Sequence, residues 1–335
     1  MADAFEFVIH HRVSLVGGAS GERTADLGWY AVVLVAMGGH AFMQKDEKGS
    51  IEDHERNAQR IAELLMDLVE RDYYLVITHG NGPQVGNLLL QQECCDTVPR
   101  LPLEILVAQT QGQIGYMIES TLDEALMAMG INSQPLVSLI TYVVVSEEDP
   151  AFSRPTKPIG PIYASKKQAP SGYPVVKTAK GFRRVVVSPK PVTIIEKREI
   201  KKLITADFIV ICCGGGGIPV VREGRAFQGV DAVIDKDLAS AKLAQEVGVD
   251  IFVIATDVVG VALNYRTKEE KFLRRLNIGS AAQLIAEGHF ADVSMRPKVE
   301  AAVQFVHDGG KRAVITSIEA IESAVEGQAG TEITL

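Results

Sequence analysis

Three lysines stand in settings that suit the binding of phosphate groups. Lys236 lies where an apolar run meets the expected start of a helix, with an aspartate on each side. Lys298 follows a proline at another expected helix start, and Lys157 lies within the proline-rich stretch 155–161. A lysine taken alone is usually an exposed surface residue. As a set they matter, because phosphoryl transfer depends on fixed positive charge more than on a covalent catalyst.

Three glycine-rich turns, each directly behind an apolar run typical of a strand, give the lysines a possible phosphate surface. The turns read Gly38-Gly39-His40, Gly80-Asn81-Gly82 and Gly214-Gly215-Gly216-Gly217. Glycine lets the backbone approach an oxyanion and present several N–H donors to it. A helix that begins just beyond the turn adds its own donors and the positive end of its dipole. The three turns together predict a surface that holds a run of phosphates.

Several other nucleotide and catalytic motifs are missing from the sequence. There is no Gly-x-x-x-x-Gly-Lys-Ser/Thr loop, no protein-kinase glycine motif, and no Gly-x-Gly-x-x-Gly after the first strand. The spacing of histidine and cysteine indicates no metal site. His79 is a candidate acid or base, although a histidine that hydrogen-bonds its own turn is the commoner case. Without an obvious nucleophile, the pattern favours direct transfer between two bound substrates.

The elements that carry these residues alternate between short apolar runs and amphipathic helical stretches from Val32 onward. This alternation predicts an α/β fold with a mainly parallel sheet. Expected elements include helices over 103–129, 236–247, 280–287 and 297–307 and a strand over 251–256. Within the first of these helices, Gly112 and Gly115 lie on a face of small residues that suits close packing.

The segment 146–191 breaks the alternation, since it holds seven of the 14 prolines before Lys190. It is either a linker between domains or a projecting subdomain that acts as a lid. The lid is favoured because prolines on both sides of Lys157 form a rigid frame around it. We therefore expect one domain over 31–335 that carries a protruding subdomain at about 146–191.

Composition narrows the possible partners. The chain has 335 residues, 47% of them hydrophobic, and a net charge of −8, so it offers no basic surface for nucleic acid. No apolar run reaches the roughly 20 residues of a membrane span. The cysteines form two adjacent pairs, 94–95 and 212–213, which favours reduced thiols and a cytoplasmic protein. Residues 1–30 show no helical or strand period, and we expect a poorly ordered N-terminal extension.

From Val32 to its C-terminus the chain resembles carbamate kinase, a family of the amino acid kinase fold. The resemblance is carried by an ordered series of motifs: Thr78-His79-Gly80-Asn81-Gly82-Pro83-Gln84-Val85-Gly86, Thr110-Gln111-Gly112-Gln113-Ile114-Gly115-Tyr116, Pro155-Thr156-Lys157-Pro158-Ile159-Gly160-Pro161, Ile234-Asp235-Lys236-Asp237-Leu238-Ala239 and Ser294-Met295-Arg296-Pro297-Lys298. It implies a three-layer αβα sandwich, a homodimer, and reversible phosphoryl transfer between ATP and carbamate with Mg²⁺. In such enzymes the reaction often makes ATP from carbamoyl phosphate, in arginine or purine-nitrogen catabolism.

The resemblance also assigns roles to individual residues. The catalytic set it implies is Lys157, Lys236, Asp237 and Lys298. The phosphate and carbamate loops map onto Gly38, Gly39, His40, Gly80, Asn81, Gly82, Gly214 and Gly215. Nucleotide binding maps onto Thr256, Asp257, Asn264, Tyr265, Met295 and Lys298.

Two positions depart from the family pattern. His40 stands where asparagine is usual, and Val293 stands where glycine is usual before the Ser-Met pair. If that glycine has a positive φ, valine fits it badly and the loop before Lys298 must differ. These departures keep open a catalytically weak, nucleotide-binding regulatory protein. A kinase of the same fold for another small acid is a further alternative, but the proline frame around Lys157 counts against it.

Overall fold

The computed structural model describes residues 31–38, 41–42, 47, 49–169, 172–178, 181–265, 267–290 and 294–335. The expected N-terminal extension, residues 1–30, lies outside these ranges. So do Gly39 and His40 of the first glycine turn and Val293 before the last motif.

Eight α-helices lie within the described residues: α1 Ile51–Glu70, α2 Gly82–Glu93, α3 Leu103–Ala128, α4 Lys197–Thr205, α5 Lys236–Val247, α6 Ile278–Ala286, α7 Met295–His307 and α8 Ile321–Val325. None of these eight has both the length and the apolar character that a membrane span needs.

Seventeen strands lie within the same ranges: β1 Val32–Met37, β2 Tyr74–His79, β3 Leu136–Ser138, β4 Tyr142–Val145, β5 Lys157–Tyr163, β6 Val175–Thr178, β7 Gly181–Val186, β8 Pro191–Ile194, β9 Ile209–Ile211, β10 Ile218–Glu223, β11 Ala226–Gly229, β12 Ile251–Thr256, β13 Ala262–Leu263, β14 Lys271–Phe272, β15 Arg275–Asn277, β16 Arg312–Ser317 and β17 Thr331–Thr334.

The main sheet has eight strands in the order β15-β17-β16-β12-β1-β2-β9-β3. All neighbouring strands are parallel except β16 and β17. Helices α1, α3 and α8 share one apolar core with the sheet, while α4, α5, α6 and α7 share the other. The predicted α/β fold, a three-layer αβα sandwich with a mainly parallel sheet, is therefore confirmed.

Alternate residues of the central strands serve the two cores. In β1, Val33 and Val35 face α1 and α3, whereas Leu34 and Ala36 face the layer of α5 and α7. Because successive side chains of a strand point to opposite faces, a strand covered on both sides must be apolar throughout. Each large apolar side chain that is fully buried contributes roughly 1.5–3 kcal/mol by leaving water. This burial holds the strand ends, and the turns that follow them, in fixed positions.

The segment 146–191 contains a separate antiparallel sheet in the order β5-β7-β6. That sheet contacts the main body through α2, where the backbones of Gly86 and Gly160 meet so closely that a Cβ on Gly86 would lie 2.0 Å from Gly160 Cα. At the far end of α2, Arg184 of β7 forms a bidentate pair with Glu93, with N–O distances of 2.9 and 2.5 Å. The three-stranded sheet, with Lys157 at the start of β5, therefore has two fixed contacts with α2.

Candidate active site

The three glycine turns meet at one edge of the main sheet. Gly38 follows β1, Gly80 follows β2, and Gly214 lies three residues beyond the end of β9. These strands are neighbours and run parallel, so their carboxyl ends lie side by side. In open α/β sheets this edge is where ligands bind. Gly39 and His40, the rest of the first turn, lie outside the described residues.

The second turn leads directly into α2. Asn81 is the N-cap residue, but its side chain makes no capping hydrogen bond to the helix. The first N–H groups of a helix have no acceptor within the helix itself. Together with the positive end of the helix dipole, they provide a place for an anion beside Gly82.

The third turn has no room for side chains. Gly215 has φ +66°, and a Cβ there would lie 2.1 Å from Asn81 Nδ2. Gly216 has φ +93°, and a Cβ there would lie 2.5 Å from the carbonyl oxygen of Ile234. Both positions therefore require glycine, for backbone conformation and for space. The third turn thus packs directly against the second and against the residues that lead into α5.

Helix α5 brings two charged residues into this edge. Asp235 is its N-cap, and Asp235 Oδ1 accepts a hydrogen bond from the backbone N–H of Asp237 at 2.9 Å. Lys236, the first helical residue, donates from Nζ to the carbonyl oxygen of Ala36 at 2.9 Å. The same Nζ lies 2.8 Å from Asp237 Oδ1, although this ion pair lacks the alignment of a hydrogen bond.

Lys298 approaches the same carboxylate from the first turn of α7. Its Nζ donates to Asp237 Oδ2 at 2.8 Å. The side chains of Lys236, Asp237 and Lys298 are 8%, 6% and 14% exposed, so the three charges interact with little screening by water. Two ammonium groups around one carboxylate leave an excess of positive charge.

Their pKa values show how the three groups depend on each other. Burial lowers the pKa of Lys236 to about 8, against the attraction of Asp237. Burial alone would raise the pKa of Asp237, but Lys236 and Lys298 together hold it well below its usual range. Burial also opposes the charge of Lys298, yet Asp237 and more distant aspartates raise its pKa. Asp237 is therefore ionised at neutral pH and keeps both lysines charged.

Lys157 reaches the cluster from the separate sheet of segment 146–191. Its Nζ donates to Asp235 Oδ2, the oxygen that the cap of α5 leaves free. The structure thus brings together all four residues predicted as catalytic, Lys157, Lys236, Asp237 and Lys298. Asp235 was absent from that predicted set. Its position immediately before a helix was a signal for an N-cap, but nothing in the sequence indicated its contact with Lys157.

His79 lies at the end of β2 and is 1% exposed. Its Nδ1 is 3.3 Å from the carbonyl oxygen of Gly80, so it contacts its own turn. On the other side the ring packs against Gly214, where a Cβ would lie 2.4 Å from Nε2. Burial lowers the pKa of His79 to about 4. At neutral pH the ring is uncharged, which favours the structural interpretation of this histidine.

The residues predicted to bind a nucleotide fall into two groups. Thr256 ends β12, beside β1 in the sheet, and its Oγ1 donates to Asp257 Oδ1 at 3.2 Å. Asp257 is close enough to Lys298 to help raise its pKa, and Met295 begins the same helix as that lysine. The second group, Asn264 and Tyr265, follows β13 at the surface.

The described residues contain no group of three His, Cys, Asp or Glu side chains that could form a metal cage. The carboxylates of Asp235 and Asp237 instead form ion pairs with lysines. Asp237 Oδ1 is the one buried oxygen among them that accepts no hydrogen bond within the described part of the chain.

The sequence and the structure of this chain are both similar to those of known carbamate kinases. A model of the amino acid kinase family matches residues 31–317. The carbamate kinase of Thermococcus kodakarensis is 45% identical over 310 residues, which are 90% of this chain and 98% of that protein. The structure of carbamate kinase from Giardia lamblia bound to citric acid matches with a TM-score of 0.86 and 38% identity, over 91% of this chain and 98% of that one. The same enzyme bound to AMP-PNP matches with a TM-score of 0.83 and 37% identity, over the same shares of the two chains. The chain therefore belongs to the amino acid kinase family and, within it, to the carbamate kinases.

Proposed function

We propose that this protein transfers a phosphoryl group reversibly between ATP and carbamate, forming ADP and carbamoyl phosphate. The observation that carries the proposal is the convergence of Lys157, Lys236 and Lys298, from three separate elements, on two aspartates beside the glycine turns. The carbamate kinases that it resembles over most of its length support the choice of substrate.

The proposed reaction needs charge stabilisation and no proton transfer. An oxygen of carbamate attacks the γ-phosphorus of ATP, and the new P–O bond forms as the bond to the bridging oxygen of ADP breaks. The electron pair of the broken bond stays on ADP. Carbamate is already an anion, so no side chain has to remove a proton from it. This agrees with His79, which is buried and uncharged at neutral pH.

Lys236 and Lys298 would neutralise the charge on the oxygens of the transferred group. In phosphoryl transfer this charge is spread over three equatorial oxygens, and catalysis is mostly positioning and electrostatic stabilisation. Asp237 would hold both ammonium groups in place before the substrates bind. Charges fixed in advance need little rearrangement during the reaction, which makes their effect on the barrier larger.

Lys157 would approach the transferred group from the three-stranded sheet of segment 146–191. We propose that segment 146–191 is a subdomain that acts as a lid, because it places this lysine over the site through β5. Lys157 is paired with Asp235. An incoming phosphoryl group would compete for the same ammonium.

The glycine turns would bind the phosphates and carbamate through backbone N–H groups. We assign this role to Gly38, Gly39, His40, Gly80, Asn81, Gly82, Gly214 and Gly215. The start of α2 beside the second turn and the packed third turn support it.

The nucleotide would lie along the end of β12 and the start of α7. Thr256, Asp257 and Met295 would then lie near the base or ribose, and Lys298 near the phosphates. The Giardia lamblia enzyme, whose structure holds AMP-PNP, supports a nucleotide site in this fold. Asn264 and Tyr265 belong to this proposal through the resemblance alone.

Magnesium would arrive with the nucleotide. Mg²⁺ usually keeps several waters and binds through phosphate oxygens with one or two carboxylates. Asp237 would fit a magnesium ion that keeps its waters, since Oδ1 can still accept a hydrogen bond from a metal-bound water. When bound, the ion would neutralise phosphate charge. The protein would hold it mainly through the nucleotide.

We also propose a homodimer in the cytoplasm. The resemblance implies the dimer, and the four free cysteines agree with a reducing compartment. Light scattering after size exclusion, with and without reductant, tests both the assembly and its independence from disulfides. A monomeric mass would contradict the dimer.

The test of the activity is ATP formation from ADP, Mg²⁺ and carbamoyl phosphate, coupled to hexokinase. Lys236→Met removes the buried ammonium at nearly constant volume and should lower kcat at least 100-fold. The matched control is Lys242→Met on the same helix, because Lys242 is half-buried, donates to Gln245 and forms no hydrogen bond or ion pair with Asp237 or Lys298 within the described residues. This control should retain wild-type turnover.

Equal turnover of Lys236→Met and wild type would contradict the assignment of the lysine. Absence of wild-type turnover, with ADP binding still detected by calorimetry, would overturn the proposed reaction. That result would favour another acceptor or a nucleotide-binding regulatory protein.

A further inference from the structure

Two neighbouring residues of α3, Thr110 and Gln111, connect the second and third glycine turns. Both side chains are buried, with residue exposures of 0% and 3%. Within the described part of the chain, neither forms a hydrogen bond or an ion pair with the lysine cluster. Thr110 is hydrogen-bonded to Asn81 of the second turn, whereas Gln111 reaches the third turn through Thr141.

Thr110 determines how the Asn81 amide is oriented. The Thr110 hydroxyl donates its proton to the carbonyl oxygen of Val107 at 2.8 Å. Its lone pairs are therefore left to accept from Asn81 Nδ2 at 2.9 Å. A hydroxyl has only one proton, so this arrangement fixes the nitrogen of the Asn81 amide toward α3. That amide packs on Gly215 of the third turn, so its orientation affects both turns.

Gln111 acts on the third turn through Thr141. Its Oε1 accepts from the backbone N–H of Thr141 at 3.0 Å and from the Thr141 hydroxyl at 3.2 Å, while its Nε2 donates to the carbonyl oxygen of Thr141 at 3.2 Å. Because the hydroxyl proton is directed to Gln111, a lone pair of Thr141 Oγ1 accepts from the backbone N–H of Cys213 at 2.7 Å.

Cys213 is where this support is needed. It precedes Gly214 and has φ +50°, a left-handed conformation that is unfavourable for a residue with a side chain. It is also buried, so its N–H must find a partner within the protein. The Thr141 hydroxyl supplies that partner and holds the entry to the third turn in a conformation that it would not keep by itself.

We propose that Thr110 and Gln111, with Thr141 as the link to Cys213, are positioning residues that hold the second and third glycine turns in one fixed relation for phosphoryl transfer. The inference rests on the proposed function of these turns. Thr110 and Gln111 belong to the 110–116 motif but not to the set of residues expected to contact substrate, and the proposal gives this pair a role.

The test uses matched substitutions at the two threonines. Thr110→Val and Thr141→Val keep the shape and remove the hydroxyl, whereas Thr110→Ser and Thr141→Ser keep the hydroxyl. Each valine variant should lower kcat for ATP formation about tenfold, the effect of one lost buried hydrogen bond on the transition state. KM for ADP should stay within about twofold, since the proposed pocket for its base and ribose lies at the end of β12 and the start of α7. Each serine variant should recover most of the wild-type kcat.

Thr121→Val is the control for removing a threonine hydroxyl from α3. Thr121 donates only to carbonyl oxygens of its own helix, so this variant should keep wild-type kcat. A loss of kcat in Thr121→Val equal to that in Thr110→Val would overturn the proposal, because it would show a general effect on the helix. Equal kcat in the valine variants and wild type would also overturn it.

Amide hydrogen exchange gives a second readout that does not need catalysis. In Thr141→Val, exchange over residues 212–217 should rise at least tenfold, and in Thr141→Ser and Thr121→Val it should stay near wild type. If the wild type turns over no carbamoyl phosphate, the proposed function fails, and this measurement still decides whether Thr141 holds the turn. Unchanged exchange in Thr141→Val would overturn the positioning role in either case.

Discussion

Gly86→Ala should inactivate the enzyme without unfolding it, because it forces α2 away from β5. A Cβ on Gly86 would lie 2.0 Å from Gly160 Cα, whereas ordinary contact begins at 3.4 Å, so the two backbones must separate by about 1.4 Å. Lys157 is three residues before Gly160 on the same strand. Its ammonium group should move by a similar amount relative to the lysines of α5 and α7.

A displacement of about 1 Å in a reacting geometry can cost about 100-fold in rate. We therefore expect kcat/KM for carbamoyl phosphate to fall about 100-fold, which corresponds to about 2.7 kcal/mol in the barrier. Overpacking of this kind costs about 1–3 kcal/mol of stability, and alanine returns about 0.5–1 kcal/mol by favouring the helix. The variant should stay folded, with a lower Tm, and should still bind ADP.

Gly112→Ala is the matched control, since it also replaces a helical glycine but has nothing within 4 Å of the new Cβ. It should raise stability by about 0.5–1 kcal/mol and leave kcat/KM unchanged. The two variants differ only in the contact behind the new methyl group. A Gly86→Ala enzyme within threefold of wild-type kcat/KM would refute the inference that the α2–β5 contact sets the position of Lys157.

The remaining predictions concern pH and the third glycine turn. Because burial lowers the pKa of Lys236 to about 8, the free enzyme loses this ammonium as pH rises through 8, and kcat/KM should then fall about tenfold per pH unit. In the unfolded chain Lys236 keeps its proton to a higher pH, so its contribution to the free energy of unfolding increases as the pH rises above 8. Urea midpoints that fall together with activity in this pH range would contradict this account. Gly215→Ala, with φ +66° and a Cβ 2.1 Å from Asn81, should lower kcat at least 100-fold. Gly248 has φ +85° but nothing within 4 Å of a built Cβ, so Gly248→Ala should lower the free energy of unfolding by about 1 kcal/mol, measured as a lower Tm, and leave kcat unchanged. Equal kcat in the Gly215→Ala and Gly248→Ala variants would contradict the packing argument.

The sequence predicted the elements best where caps mark their ends. The helix over 236–247 and the strand over 251–256 have the expected bounds, because Asp235 caps α5 and Gly248 ends it with a left-handed residue. Helix α7 begins at Met295, two residues before the predicted start at Pro297. Proline is tolerated there because the first N–H groups of a helix have no acceptor within the helix anyway.

The predicted face of small residues on α3 was only partly right. Gly115 does pack closely, since a Cβ there would lie 2.2 Å from Ser138 Oγ. Gly112 is exposed. A helical period tells which residues share a face, but two glycines do not show how far along the helix the neighbouring strand extends.

Contacts between distant parts of the chain set the limit of prediction at the site. Lys157 and Asp235 are 78 residues apart, and Thr141 and Cys213 are 72 apart. Lys157, Asp235 and Cys213 lie in or beside a motif, whereas Thr141 does not, and neither spacing reveals which side chains meet. Periodicity predicts the sheet and hence the edge where the turns gather, whereas these pairings depend on how segment 146–191 and α3 pack.

The pair between Lys157 and Asp235 affects how the enzyme distinguishes a substrate from dissolved salt. The lysine is already largely out of water and matched by a carboxylate, so a bound phosphoryl group replaces one anion with another. The binding free energy at Lys157 is then the difference between its ion pair with the phosphoryl group and its ion pair with Asp235. Much of the dehydration of the Lys157 ammonium has already taken place during folding. A simple monovalent anion has too little charge to displace Asp235 from Lys157, whereas a group with several charged oxygens can bind the other lysines at the same time. The pair between Lys157 and Asp235 thus favours a multiply charged ligand.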